Sequence, residues 1–410
     1  MASTQSTQTQ PIVEPTTETK EDQHVLIDSL SEADPTVSVV MPTMNEEEGI
    51  GECIEWVKTA VKRSGYQTEV IISDASTDRT PEIASKKGAI VVEPDKPGYG
   101  YAYRYAFEHC RGDYIVIGDA DTTYDFKQFP ELLSKVIEGN ADMVMGSRLE
   151  GDIKEGAMPA LHQYIGNPML TRFLNLFYGA GVSDAHSGFR AFRADMLEEL
   201  ELETTGMEFA SEMVMEASAQ NLTIQEIPIT YHEREGEATL ESFTDGWRHL
   251  RFMLLNAPNY LFSIPGIGFS IIGLGLLASG ALGLSIGGVG LGTSIALGGS
   301  MLVLVGYQVA SMGVFNSLAG DPIQRPEGAI VQMIIDEVSL ERIATTGVAV
   351  FILGSLYLTW AGFQSLNGGT ALLYGTASYA VGFTVVVLGI QTVFNAFFIN
   401  AIDNQSVSEG

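Results

Sequence analysis

From Pro258 to Asp403 the only Lys or Arg residues are Arg325 and Arg342, and Gly, Ala, Leu, Ile and Val dominate. A stretch that long and that poor in cations belongs in a bilayer. Four apolar spans are expected, over 260–284, 293–318, 343–363 and 371–402, and their many glycines suit close helix packing. The connectors 285–292 and 364–370 hold no Lys or Arg, whereas 319–342 holds both arginines. The positive-inside tendency therefore places that segment, the whole N-terminal half and both termini in the cytoplasm, in a multi-pass protein of the cell membrane.

The rest of the chain is charged and mixed, with an acidic bias that excludes one class of partner. A formal net charge of −29 with only 22 Lys and Arg argues against nucleic acid, whose phosphates demand the opposite sign. The bias fits solubility in a high-salt cytoplasm, where screening makes repulsion between carboxylates tolerable. Cys53 and Cys110 are too few for a disulfide framework and lie in no metal-ligand pattern, which fits a reducing compartment. Residues 1–35 lack the basic start and apolar run of a signal peptide and read as a disordered polar tail.

Between 36 and 240 strand-like and helix-like segments alternate. "TVSVVMP" is followed by apolar residues at helical spacing, with Asn45 where a helix cap is expected. "TEVIISD" leads to a helix opening at Pro81, "AIVVEP" leads to "GYGYAYRYAFEHCRG", and "DYIVIG" and "ADMVMGSR" supply further strands. The alternation predicts an α/β domain over 36–240 with a parallel-rich sheet covered by helices on both faces. In such sheets ligands bind beyond the carboxyl ends of the strands, where Pro42 to Asn45, Asp74 and Asp119 to Asp121 should converge. "PALHQYIGNPMLTRFLNLFYGAGV" and "SFTDGWRHLRFMLLNAPN" read as amphipathic helices along a membrane surface, the second filling 241–259 ahead of a four-helix membrane region over 260–403.

The segment "IGDADTTYDF" ends an apolar strand on two carboxylates separated by one residue. Carboxylates are costly to bury unless paired or bound to a cation. Side chains of an extended backbone alternate with period two, so Asp119 and Asp121 project to one side and can approach one Mg²⁺ or Mn²⁺ that bridges a nucleotide diphosphate.

Taken together and in order, "VVMPTMNEEEGI", "IISDASTDRT", "GDADTTYD", "VMGSR", "SGFRAF" and "YHEREG" followed by "DGWRHLRFML" resemble a family 2 glycosyltransferase of the polyprenyl-phosphate type, similar to dolichyl-phosphate mannose and glucose synthases. The resemblance covers 37–256 and implies a Rossmann-like nucleotide-binding domain of the GT-A kind. It implies Pro42, Asn45 and Glu46 near the nucleotide, Asp74 at the base, Lys96 with the Gly98/Gly100 turn beside the diphosphate, and Asp119 and Asp121 on metal and diphosphate. Three positions depart from the family pattern. Ser73-Asp74 stands where two Asp are common, Thr123 where mannose synthases often carry Gln, and Thr239 where a Lys is frequent.

The implied reaction moves a hexose, with inversion, from a nucleotide diphosphate sugar such as UDP-glucose or GDP-mannose to a polyprenyl (dolichyl) phosphate, for glycoprotein assembly. A lipid monophosphate is already ionised near neutral pH, so no strong general base is required. Charge neutralisation is required, and arginine supplies it best. Arg148, Arg234 and Arg190 are the candidates, the first two expected to clamp the acceptor phosphate together, with His162 assisting and Asp184 orienting the acceptor or a sugar hydroxyl. Two other readings stand beside this one: a polysaccharide-forming enzyme of the same fold, against which "DGWRHLRF" lacks a QxxRW-like motif, and a sugar-nucleotide-binding transporter or scaffold, against which the spans lack charged residues.

Overall fold

The structure, a computed structural model, describes residues 26–27, 33–235, 242–286, 289–290, 292–319, 323, 340–366 and 376–409. Most of the expected tail, Thr239 and Arg325 lie outside these residues. Within the tail Leu26 and Ile27 are docked: Ile27 is buried and its N–H donates to the Thr68 carbonyl at 2.9 Å. Two apolar residues inside the polar tail thus find the domain's core.

Seven strands form one sheet: β1 (Val37–Thr43), β2 (Thr68–Asp74), β3 (Ile90–Val92), β4 (Tyr114–Ile117), β5 (Met143–Ile153), β6 (Arg190–Arg193) and β7 (Ile224–Tyr231), in the order β3-β2-β1-β4-β6-β5-β7. Strands β1, β2, β3 and β4 run parallel to one another, as do β5 and β7, while β6 is antiparallel to both neighbours. Alternate residues of β1 feed two cores: Val37, Val39 and Met41 pack with helices α1 (Ile50–Ser64) and α4 (Phe129–Ile137), and Val40 packs with α3 (Tyr99–Phe107), α5 (Asn167–Tyr178) and α7 (Phe209–Ala219). The short helices α2 (Thr80–Lys86) and α6 (Met196–Glu199) complete this half.

The antiparallel β6 was not foreseen, and its direction has a plain cause. Its first residue, Arg190, pairs with Ile117 at the end of β4 and with Met145 of β5. The chain leaving β5 therefore makes its excursion through α5 at the carboxyl edge and re-enters the sheet from that same edge, so β6 must run the opposite way. Residues 154–189 stay on the side where a GT-A-like domain places its ligands.

Helix α1 buries Ile50, Cys53, Ile54, Val57, Ala60 and Val61, a spacing that gives one apolar stripe, and Gly65 ends it at φ 78°. Asn45 does not cap it. The helix begins five residues later behind Gly49, and the Asn45 side chain is used elsewhere.

Helix α8 (Ser242–Leu255) leads into α9 (Ile264–Ala281) through a π-turn over Asn259–Ser263; a two-residue ribbon of β8 (Ser285–Ile286) and β9 (Val289–Gly290), then α10 (Thr293–Ala319), α11 (Leu340–Leu366) and α12 (Thr376–Glu409) follow. Among the described residues four stretches are long and apolar enough to cross a membrane: Asn259–Ala281, Thr293–Ser317, Glu341–Leu366 and Ala377–Ala401. Glycines recur every seven residues on α9 (Gly266, Gly273, Gly280) and on α10 (Gly299, Gly306, Gly313), and bring the two backbones together: a Cβ on Gly273 would lie 2.6 Å from the Val303 nitrogen.

Candidate active site at the carboxyl edge

Asp119 and Asp121 follow the last residue of β4 in a turn that Thr122 closes at φ 65°, in the left-handed region. Each carboxylate is held through one oxygen. The Tyr99 hydroxyl donates to Asp119 Oδ1 at 2.7 Å, and Thr123 donates its hydroxyl to Asp121 Oδ1 at 2.6 Å and its backbone N–H at 3.2 Å. Burial, with the neighbouring Asp121 charge adding to it, pushes the Asp119 carboxyl up to about 6.

A third carboxylate joins them. Glu46 is pushed up to about 7 by burial, an effect that Arg234 opposes and that Asp121 and Asp119 reinforce. Arg234 lies in the loop after β7, donates from Nη2 to Glu46 Oε1, and places Nη1 3.6 Å from Asp121 Oδ2. That loop is fastened to the acidic turn by its backbone: His232 N–H donates to the Thr123 carbonyl at 2.9 Å, and Glu235 N–H lies 3.2 Å from the Asp121 carbonyl and 3.3 Å from Thr122 Oγ1.

The loops after β1 and β2 are stitched to each other. Asn45, at φ 61°, donates its N–H to Ser76 Oγ at 2.7 Å and accepts from Thr77 N–H at 2.8 Å, while Glu46 N–H donates to Thr80 Oγ1. Asp74 accepts from Thr43 and Ser76 hydroxyls at 2.7 and 2.6 Å, and Pro42 lies opposite Ser73 in the β1–β2 register. Pro42, Asn45, Glu46, Asp74, Asp119 and Asp121 thus all lie at the same edge of the sheet.

Arg148, midway along β5, makes a two-pronged pair with Asp184: Nε to Oδ2 at 2.7 Å and Nη2 to Oδ1 at 2.8 Å, with its backbone N–H on Oδ2 at 3.1 Å. Burial alone would lift the Asp184 carboxyl, and the Arg148 guanidinium more than reverses this, holding it below the usual carboxylate range. The two arginines expected to share one phosphate are therefore paired with different carboxylates, and the Asp184 oxygens expected to orient a sugar or an acceptor are given to Arg148.

The oxygen-rich donors of Asp119 and Asp121 fit a hard divalent cation such as Mg²⁺ or Mn²⁺. No group of three or more His, Cys, Asp or Glu side chains among the described residues is placed to hold a metal unaided. A cation at this edge would thus take further ligands from a bound diphosphate and water, as Mg²⁺ commonly does.

Residues 38–201 match the model of "Glycosyl transferase family 2" and residues 318–403 that of "Glycosyltransferase family 2 C-terminal transmembrane region". The low-salt glycan biosynthesis hexosyltransferase Agl6 of Haloferax volcanii is 50% identical over 378 residues, covering 92% of either chain. The chain is a family 2 glycosyltransferase. Its catalytic half is also 36% identical, over 51% of this chain and 89% of the other, to a dolichyl-phosphate hexose transferase of the same organism. Among solved structures it is similar to glucosyl-3-phosphoglycerate synthase from Mycobacterium tuberculosis in complex with Mn²⁺, UDP and glucosyl-3-phosphoglycerate (TM-score 0.44, 22% identity, 54% of this chain and 80% of that one).

Other expected residues of this glycosyltransferase take different places. Arg190 is fully buried and donates to the carbonyls of Ser187, Ala185 and Ala210, so it folds the 184–190 loop around itself; burial lowers it to about 10. Lys96 is exposed, its ammonium 5.4 Å over the Tyr101 ring. Gly98 and Gly100 do need to lack side chains, but what approaches them is the 204–206 backbone: a Cβ on Gly98, at φ 132°, would meet the Thr205 carbonyl oxygen at 2.2 Å. His162 opens a π-turn over His162–Gly166, its N–H on the Pro159 carbonyl at 2.9 Å.

That turn and α5 expose Leu161, Tyr164, Ile165, Met169 and Leu176, and α8 exposes Trp247 and Leu255. These exposed apolar side chains form a shelf next to the apolar half, which α5 meets through the Phe177–Tyr260 ring contact. Tyr99 and Glu226, which accepts from Asp184 N–H at 3.0 Å, escaped the sequence reading. Thr123, marked in the sequence as a departure from the family pattern, is the residue that holds Asp121; Tyr99 and Glu226 carry no local signal.

Proposed function

We propose that the enzyme transfers a hexose from a nucleotide diphosphate sugar to a polyprenyl, dolichyl-type phosphate with inversion, at the cytoplasmic face of the membrane. The observation that carries the reading is the pocket of Asp119, Asp121, Glu46 and Arg234 on a chain that also presents an apolar shelf and four membrane helices. A lipid acceptor is the substrate such a combination serves. The names of the Haloferax relatives, a hexosyltransferase and a dolichyl-phosphate hexose transferase, agree with it.

In this reading Asp119 and Asp121 would hold a divalent cation, which would supply charge neutralisation for the departing nucleoside diphosphate. Tyr99 and Thr123 keep the two carboxylates turned toward the pocket. The ionised acceptor oxygen forms its bond to the anomeric carbon as the bond to the diphosphate oxygen breaks, so no protein base has to take a proton. Arg234 offsets the repulsion between the two phosphates, and the buried Arg148–Asp184 pair fixes the 184–190 loop against β5.

The test is conversion of radiolabelled sugar nucleotides, supplied as a panel with one polyprenyl phosphate, into an organic-extractable product by the purified full-length protein. Product with UDP-glucose or GDP-mannose that disappears in excess EDTA is expected. Water-soluble polymer as the labelled product would instead favour a polysaccharide-forming enzyme.

A further inference from the structure

Arg234 sits where a cation is needed in the absence of metal. Its partners Glu46 and Asp121 have side chains only 12% and 11% exposed, and the charge of a third carboxylate, Asp119, two residues before Asp121, also acts on Glu46. Three carboxylates in one partly buried pocket repel one another unless positive charge enters. Arg148 also acts on Asp119, and the Arg234 guanidinium is the positive charge the chain places directly on Glu46 and Asp121.

The two contacts differ in kind. Glu46 receives a direct hydrogen bond, whereas Asp121 Oδ2 lies 3.6 Å from Nη1, an ion pair without hydrogen-bond geometry. Asp121 Oδ1 is already taken by Thr123, so Oδ2 is the oxygen left for a metal, and it is the one Arg234 faces. The Arg234 backbone is held by its neighbours on 121–123. The side chain itself is held through Glu46 and Asp121, and among the described residues its Nε is buried without a hydrogen-bond partner.

We propose that Arg234 is an internal counter-cation of the acidic pocket, released from Asp121 when a divalent cation binds and thereby presented to the phosphate of the acceptor. A divalent ion brings twice the charge and a preference for carboxylate oxygen that a guanidinium does not match. Donor and acceptor then engage in order: the cation accompanying the sugar nucleotide enters first, and only then is Arg234 available to a second phosphate. The second half of this sequence rests on the proposed lipid-phosphate acceptor; the first half does not.

The experiment titrates Mn²⁺ alone, followed by the EPR signal of the free ion, into full-length protein in detergent without nucleotide. Removing the competing cation in Arg234→Met should tighten Mn²⁺ binding about tenfold, and Arg234→Lys should stay near wild type. Equal or weaker binding by Arg234→Met overturns the proposal. A second readout needs no variant: Mn²⁺ should speed modification of Arg234 by 2,3-butanedione several-fold relative to EDTA, measured by peptide mass spectrometry, and an unchanged or slower rate overturns it equally. Both readouts are independent of turnover. Failure of transfer to any polyprenyl phosphate would remove the acceptor assignment and leave the counter-cation to be decided by Mn²⁺.

Discussion

Asp119 and Asp121 each give one oxygen to a protein hydroxyl, which sets how far either carboxylate can turn. Removing such an orienting partner typically costs 10- to 100-fold in metal affinity or activity, so Tyr99→Phe and Thr123→Val should each lower Mn²⁺ affinity by about that much. Unaltered Mn²⁺ titrations of both variants would show that the hydroxyls do not orient the pair. Asp121→Asn should fold normally and lose transfer by on the order of a hundred-fold or more. The acidic pair was legible because strand periodicity and the cost of burying charge both act within three residues. Arg148 and Asp184 were legible as charged residues but not as partners, since 36 positions separate them and no local period links them. Breaking that buried pair with Asp184→Asn should cost about 3–5 kcal/mol in urea unfolding.

At the scale of elements, parallel strands β1 to β4 could be read from alternating segments, whereas β6 could not. Four residues that return from the same edge carry no pattern distinguishing their direction. The 184–190 loop ahead of β6 makes a connection that was equally invisible: Ser211 Oγ on α7 lies 3.2 Å from His186 Nε2 and 3.1 Å from His249 Nδ1 on α8. Burial, then the adjacent His249, holds the His186 imidazole well below its usual 6.5. As pH falls through 6.5 the unfolded chain takes up this proton and the folded chain does not. Stability from this group is therefore fully present above about 6.5 and declines below it, with a slope of at most about 1.4 kcal/mol per pH unit. His186→Asn should flatten unfolding midpoints between pH 6.5 and 5, and an unchanged slope would count against a neutral buried imidazole. In the membrane half, Gly273→Val should separate α9 from α10 and lower stability in detergent by about 1–3 kcal/mol.

The whole molecule is joined more closely than its change in composition suggests. The Tyr178 hydroxyl donates to the Asn256 carbonyl at 2.6 Å, the rings of Phe177 and Tyr260 lie 4.7 Å apart, and Asn316 of α10 donates to the Leu255 carbonyl at 3.1 Å. Within the bilayer half, Ser300–Thr384, Tyr307–Thr392, Gln308–Gln391 and Ser311–Asn395 pair α10 with α12 at nearly constant sequence offset, which only two parallel helices allow. Hydropathy reveals such spans and is blind to the polar seam between them.

Charge acts on this assembly as a whole. A net charge of −29 repels itself over a screening length of about 10 Å at 0.1 M salt and about 3 Å at 1 M. Salt also weakens surface pairs such as Lys86–Glu82 and Arg63–Glu131, but each is worth about 1 kcal/mol or less. With 51 acidic residues against 22 Lys and Arg, most carboxylates have no cation to lose, so relief of repulsion should dominate. Raising KCl from 0.1 to 2 M should therefore raise the unfolding temperature of the full-length protein. Replacing the exposed Glu48, Glu52, Glu198 and Glu201 by Gln should shrink that rise by raising the low-salt value more than the high-salt one. An equal shift at both salt concentrations would mean that KCl acts through preferential hydration rather than through the chain's own charge.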